Sequence, residues 1–374
     1  MRALFVVTPG IGHLFPTVPL AWALRAAGHE VLYVTTGPAL AAEQAGLPVV
    51  DAAPGFDFRA AMLQRMKENP EVVELMKQEI TDLRTIAPRF ASMAAGLTDG
   101  VVAAAEQWRP DVIVQTVVQG AGLVAASKLG IPLVQHGFGF ARTAGVNQVL
   151  FEHMTEALER HGVTALPERE AAIDVAPPSL VAAAEGWSMR YVPYNGGGVL
   201  PESLLRRPAD RPRVAVTLGT VAPTMTGLGP IERLIAAAPQ VDAEFVVALG
   251  DADVSTLGSV PDNVHLAEWI PLNSLLHTSS ALVHHGGSGS TLGALAAGVP
   301  QLVLPSGADR YINGAAVREA GAGLSHAEDE LDAELLTRLI QEDKLRRRAL
   351  EVQAEMAALP SPTEIAQRVV DFVA

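Results

Sequence analysis

The chain has 374 residues, too many for one typical domain and enough for two with separate buried cores. Its 49% hydrophobic residues, 33 glycines and 26 prolines are those of a globular protein and exclude a disordered one. A formal net charge of -14, with basic runs no longer than Arg206-Arg207 and Arg346-Arg-Arg348, argues against nucleic acid or an anionic membrane as the main partner.

There is no cysteine, hence no disulfide and no thiolate metal ligand. The apolar run at the N-terminus is too short for a signal core, and no segment reaches about 18 uninterrupted apolar residues. A soluble, cytoplasmic protein is expected.

Residues 3–8 read as a buried parallel strand, followed by the turn Pro9-Gly-Ile-Gly-His13 and an apolar helix over 15–27 that Gly28 stops. This is a Rossmann-like opening with an incomplete dinucleotide fingerprint. Phe15 stands where a third glycine belongs, and no acidic residue closes Val31-Leu-Tyr-Val34. His13 falls just ahead of the helix, where the dipole disfavours an imidazolium and keeps the ring neutral. A capping or packing role is the alternative for a single histidine there.

A short helix over 38–46 and a strand over 48–50 come next. From Phe56 to Met93 amphipathic helices carry Phe56, Met62, Met66, Met76, Phe90 and Met93, which serve either a core or the lining of a pocket for a bulky apolar ligand. Helices over 101–108 and 120–129 alternate with strands over 112–116 and 132–136, and the loop Gly137-Phe138-Gly139 after them is expected to line a pocket. Residues 177–211 lose this alternation, and 201–212 reads as a linker. A second series follows, with strands over 213–218, 244–249, 264–266, 281–283 and 301–304. The fold class is therefore α/β, with two Rossmann-like doubly wound domains, 1–200 and 213–360, facing each other across a cleft. The last helix, within 361–374, is expected to pack back onto the first domain.

The stretch Ala281-Leu-Val-His-His-Gly-Gly-Ser-Gly-Ser-Thr291 carries the strongest chemical signal. A strand leads into a glycine-serine turn and then a small-residue helix starting near Ser290. Glycines 286, 287 and 289 permit unusual φ angles and close approach of the backbone. Ser288, Ser290 and Thr291 place hydroxyls beside free helix amides, where negative charge is favoured. A Walker loop would need a lysine, and a hydrolase elbow would need glycine at Ser290. What remains is an anion cradle, or a plain strand-to-helix turn.

Taken with Pro9 to Pro16, Pro177-Pro-Ser-Leu180, Thr217-Leu-Gly-Thr220 and Trp269-Ile-Pro271, this stretch makes the chain resemble the actinobacterial natural-product glycosyltransferases of family 1, of GT-B type. The members it is most similar to attach deoxysugars to enediynes and macrolides. The resemblance implies an inverting transfer of a deoxysugar from a thymidine-diphosphate (TDP) sugar, used as co-substrate, to a hydroxyl of a large apolar aglycone. It implies no cofactor and no metal. His13 matches the catalytic base. His285, Gly287, Ser288, Gly289 and Ser290 match the diphosphate cradle, and Thr220 the loop beside it. Trp269 matches the ring stacked on the nucleobase, Ile270 the backbone partner of its edge, and Asp309 the acid that bonds donor-sugar hydroxyls. Phe56, Met62, Met66 and Phe138 are assigned to the acceptor. The oligomeric state is left open, a homodimer included.

Three positions depart from the family pattern. Thr116 stands where a carboxylate commonly supports the base, leaving Gln115, Gln119 or substrate to help. Arg310 follows Asp309 where glucose-transferring relatives have glutamine, and Leu272 replaces a ribose-binding glutamine, which favours a thymidine donor. Asp251-Ala-Asp253 resembles the metal motif of the other glycosyltransferase architecture, but two carboxylates supply few of the ligands a divalent cation takes. Two rival functions are a catalytically degenerate homologue that activates a partner enzyme, and a nucleotide-sugar epimerase.

Overall fold

A computed structural model describes residues 1–57, 60, 64, 67, 78–219, 227–250, 252–255 and 257–374. It contains two parallel sheets. The first has the order β3-β2-β1-β4-β5-β6-β7 and the second β10-β9-β8-β11-β12-β13.

The first sheet is built from β1 (Arg2–Val6), β2 (Glu30–Thr35), β3 (Val49–Asp51), β4 (Val112–Thr116), β5 (Leu133–His136), β6 (Glu170–Asp174) and β7 (Trp187–Ser188). The central strands β1 and β4 are apolar almost throughout, as strands covered on both faces must be. The connecting helices are α1 (Ile11–Leu14), α2 (Val18–Ala26), α3 (Ala87–Trp108), α4 (Gly120–Leu129), α5 (Val146–His153) and α6 (Thr155–His161). The helix read over 15–27 is divided: a 3-10 turn at Phe15–Thr17 separates α1 from α2. The segment read as a helix over 38–46 is likewise a 3-10 helix, Gly37–Ala45.

The second sheet contains β8 (Arg213–Thr217), β9 (Glu244–Ala248), β10 (Val264–Ala267), β11 (Ala281–His284), β12 (Gln301–Val303) and β13 (Gly323–Ser325). Its helices are α7 (Gly229–Ala237), α8 (Leu272–His277), α9 (Ser288–Ala297), α10 (Arg310–Ala320), α11 (Ala333–Gln341), α12 (Asp343–Ala358) and α13 (Pro362–Val373). Short β6, β7 and β13 and helices α5 and α6 go beyond the elements read from sequence.

In each sheet the chain starts in the middle, runs to one edge, and returns to the other side of the first strand. The reversal falls between β1 and β4 in one sheet and between β8 and β11 in the other. Clefts form outside the carboxyl ends of such strands, next to the residues that follow β1, β4, β8 and β11.

The two halves share a buried cluster. Phe5, Leu14 and Val18 from the first half belong to the same apolar cluster as Leu292 and Leu295 of α9 and Val352 and Met356 of α12. α13 joins it through Ile365, Ala366 and Val369. A capping box of Ser361 and Glu364 starts α13, and Phe372 meets Trp187 edge to face at 5.5 Å.

Candidate active site

β1 ends at Val6, and the turn after it leads through extended Gly10 into α1. His13 is the third residue of α1 rather than a residue ahead of the helix. Its ring meets that of Phe138, from the loop after β5, with centroids 4.6 Å apart. Nδ1 of His13 is enclosed and has no hydrogen-bond partner. Burial pushes the pKa of the ring down to about 4. The expected neutrality of His13 therefore stands, but its cause is lost hydration rather than the helix dipole.

The polar residues proposed to support the base are engaged elsewhere, apart from Gln115 Oε1, which is buried without a partner. Thr116 Oγ1 accepts the Thr8 amide at 3.0 Å and lies 3.2 Å from Thr8 Oγ1. Gln115 donates to Asn147 Oδ1 at 3.0 Å, and Gln119 donates to Val7 O at 3.2 Å while capping α4 through Ala121 N. His136, at the end of β5, points Nδ1 at Gly137 O at 2.6 Å, and burial lowers its pKa to about 4.

On the second sheet the two histidines after Val283 divide the work. His284 Nδ1 accepts the Gly286 amide at 3.2 Å, so Nε2 carries the proton and donates to Gln301 Oε1 at 2.8 Å. Every polar atom of its ring is thus committed to holding the turn. His285 holds no part of that turn: its ring lies between Gly219 and Gly287, Nδ1 has no partner, and the ring bonds the backbone of Thr217 at the end of β8. Burial first, and then the nearby Arg310 charge, hold its pKa well below the ordinary histidine value.

The glycines have distinct reasons. Gly286 has φ 90°, which L side chains rarely adopt. Gly287 is extended, with φ -60° and ψ 139°, and is glycine because a Cβ there would stand 2.6 Å from His285 Nε2. Gly289 lies inside α9, where a Cβ would meet nothing nearer than Tyr191 OH at 3.7 Å.

α9 begins at Ser288, two residues earlier than the sequence suggests, with Gly287 as its N-cap. That shift changes the hydroxyls. Thr291 Oγ1 turns back to Gly287 O at 3.0 Å, and Ser288 Oγ donates to Asp309 Oδ2 at 3.0 Å. Asn313, not singled out in the sequence, donates from Nδ2 to Gly286 O at 2.7 Å and Ser288 Oγ at 3.0 Å. Its place one turn beyond Asp309 on α10 was the available signal. The glycine-serine turn is therefore braced from behind by Asp309 and Asn313, which leaves the amides at the start of α9 as the groups an anion could meet.

Trp269 follows β10 and is 43% exposed, lying against Gly196 and Gly250. Ile270 packs partly buried beside Leu275 and Leu276. Ser290 is half-buried. Phe56 is 50% exposed, so of the acceptor residues named above Phe138 is the one seen against His13. Thr220, Met62 and Met66 lie outside the described residues, as does Asp251 of the acid pair. Asp253 is used locally, accepting Ser255 N at 2.9 Å, and among the described residues no group of three or more His, Asp or Glu is placed to hold a metal.

The two halves touch at this site. Gly139, one residue beyond Phe138, approaches Ser288 so closely that a Cβ on it would lie 2.7 Å from Ser288 Cβ. A parallel bridge between Glu79 and Ala308 adds a second crossing, with Ile80 N donating to Ala308 O at 3.1 Å. A neutral histidine at one switch point is thus linked, through Phe138 and Gly139, to the helix N-terminus at the other.

Two doubly wound sheets meeting in this way are those of the GT-B fold, and solved glycosyltransferases of that fold superpose over the whole chain. The glycosyltransferase SnogD from Streptomyces nogalater matches with a TM-score of 0.88 and 40% identity, over 100% of this chain and 99% of that one. SsfS6 from Streptomyces sp. SF2575, solved with thymidine diphosphate, matches with a TM-score of 0.81 and 29% identity, over 99% of both chains. Among curated sequences, the elloramycin glycosyltransferase ElmGT of Streptomyces olivaceus is 48% identical over 98% of this chain and 96% of its own. Residues 22–219 and 232–372 match the N- and C-terminal domain models described as erythromycin biosynthesis protein CIII-like. The chain belongs to that family of natural-product glycosyltransferases. This sets aside the epimerase reading. No helix among the described residues is long and apolar enough to cross a membrane.

Proposed function

We propose that this glycosyltransferase moves a deoxysugar from a TDP-sugar to a hydroxyl of a large apolar aglycone, with inversion at the anomeric carbon. The single observation that carries the reading is the linkage of neutral His13, through Phe138 and Gly139, to Ser288 at the start of α9. His13 takes the acceptor proton, and the acceptor oxygen attacks as the bond to the diphosphate breaks. The leaving oxygen's charge is met by the α9 amides and His285, fixed dipoles that need no reorganisation. Since these groups supply counter-charge, we propose that no metal or other cofactor takes part.

The remaining assignments belong to the same proposal: Trp269 and Ile270 receive the base, Asp309 the sugar, Thr220 the phosphates, and Phe56, Met62, Met66 and Phe138 the aglycone. So does the division into domains 1–200 and 213–360 joined by 201–212. Thymidine is supported by the diphosphate in the SsfS6 structure and by Leu272. A natural-product acceptor is supported by the name of ElmGT, which does not extend to an enediyne.

One observation favours a second reading, a degenerate homologue that activates a partner: His13 Nδ1 has no carboxylate or other partner. Calorimetric titration of the purified protein with TDP and uridine diphosphate, repeated on His285→Ala, tests the donor assignment. Micromolar binding that prefers TDP and is lost in the variant is expected. Absence of binding to either nucleotide would overturn it.

A further inference from the structure

Arg310 is placed where a cation is costly. It is half-buried and is the first residue of the 11-residue α10, so its charge sits at the positive end of that helix dipole. Its stem packs directly behind the cradle turn: a Cβ on Gly286 would lie 3.0 Å from Arg310 Cβ and 3.1 Å from Arg310 O. Among the described residues only Nη1 of the guanidinium has a partner, donating to Ser306 O at 2.7 Å and Ser306 Oγ at 2.9 Å.

No carboxylate among the described residues lies within ion-pair distance of it. Asp309 Oδ2 is taken by Ser288 and Asn313, and Glu328, which hydrogen-bonds Ser306, acts on Arg310 only at longer range. Its charge also reaches His285, whose Nδ1 has no partner. A half-buried guanidinium with no carboxylate of the described residues in ion-pair contact is thus set beside the N-terminus of α9 and the neutral His285 ring, its counter-charges being those of Asp309 and Glu328. An anion in the cradle would give the free guanidinium nitrogens the direct charged partner that the described residues do not supply.

We propose that Arg310 is a catalytic residue that binds the donor's diphosphate and stabilises it as leaving group. This rests on the TDP-sugar reading above and adds to it the group that carries a full positive charge. As the anomeric C–O bond breaks, its electron pair stays on the β-phosphate oxygen, and the new C–O bond forms to the acceptor oxygen, whose proton passes to His13. The free guanidinium nitrogens offer charge-assisted hydrogen bonds to the phosphate oxygens as this charge develops.

The test compares wild type, Arg310→Gln and Arg310→Lys for binding of TDP by calorimetry and of thymidine by saturation-transfer NMR. Arg310→Gln should weaken TDP by about 10- to 100-fold while leaving thymidine unchanged, because only the phosphates touch the guanidinium. Arg310→Lys, which keeps the charge, should recover part of the loss. TDP affinity within about threefold of wild type in Arg310→Gln would overturn the assignment. So would an equal loss for thymidine and TDP, the mark of a merely structural role. If wild-type protein itself binds no TDP, the donor reading fails first and this inference with it.

Discussion

Gly139 and Ser288 are in contact across the two halves of the protein, the glycine from the loop after β5 and the serine from the first turn of α9. Through its neighbour Phe138 the same loop touches His13. His13 and the start of α9 are thus linked by two contacts and one peptide bond, and the spacing between them depends on the absence of one Cβ.

Gly139→Ala should therefore hold the halves apart. Overpacking of this kind costs about 1–3 kcal/mol. The expected result is a lower kcat/KM for both donor and acceptor, with thermal stability reduced and TDP affinity lowered less than turnover. Wild-type turnover in the variant would show that the halves do not need this contact.

His284 and His285 should separate cleanly. His284→Ala leaves Gln301 Oε1 and Gly286 N without partners in a buried place, so a stability loss of about 1–3 kcal/mol is expected in chemical denaturation. His285→Ala removes no hydrogen bond from that turn, only one to the Thr217 backbone, and should weaken donor binding with a smaller loss of stability than His284→Ala. Reversed results would exchange the roles of the two rings.

Stability should fall in mild acid. The pKa values of His13, His136 and His284 are depressed by burial to about 4, from 6.5 unfolded, and that of His285 is depressed as well. Between those values the unfolded chain binds more protons than the folded one, so stability is present above pH 6.5 and is lost on going down towards pH 4. Each ring contributes a slope of about 1.4 kcal/mol per pH unit in that window. Urea midpoints measured from pH 7.5 to 4.5 check this; a flat profile from 6.5 to 5 would mean the rings are not buried as described.

Asn313→Ala tests the brace behind the cradle. Losing its bonds to Gly286 O and Ser288 Oγ should reduce TDP affinity by about tenfold, roughly one good hydrogen bond. Unchanged affinity would leave Asn313 a packing residue.

Both sheets were legible in the sequence where their strands are central, because residues buried on both faces read as apolar runs, as in Ala3-Leu-Phe-Val. β6 carries glutamate and aspartate at its ends, and β13 is only three residues long, so neither stands out from a loop. At the site, His285 was separable from His284 only by resemblance. The structure supplies the physical reason, since Gln301 lies on the neighbouring strand and no local pattern announces it. The directions of the Ser288 and Thr291 hydroxyls were beyond reading, because they depend on where α9 starts and on partners from Asp309 and Asn313, brought near by the fold. The Gly139–Ser288 contact joins residues too far apart in the chain for any spacing rule.

Turnover is the most direct test of the account: purified protein alone, a TDP-deoxysugar and a panel of hydroxylated apolar aglycones, comparing wild type with His13→Ala. The account predicts a glycoside of inverted anomeric configuration from the wild type. It predicts a rate lower by about 100- to 10,000-fold in the variant, the usual cost of a lost general base, with TDP affinity unchanged. A folded His13→Ala protein within about threefold of wild-type turnover, or a product of retained configuration, would contradict it.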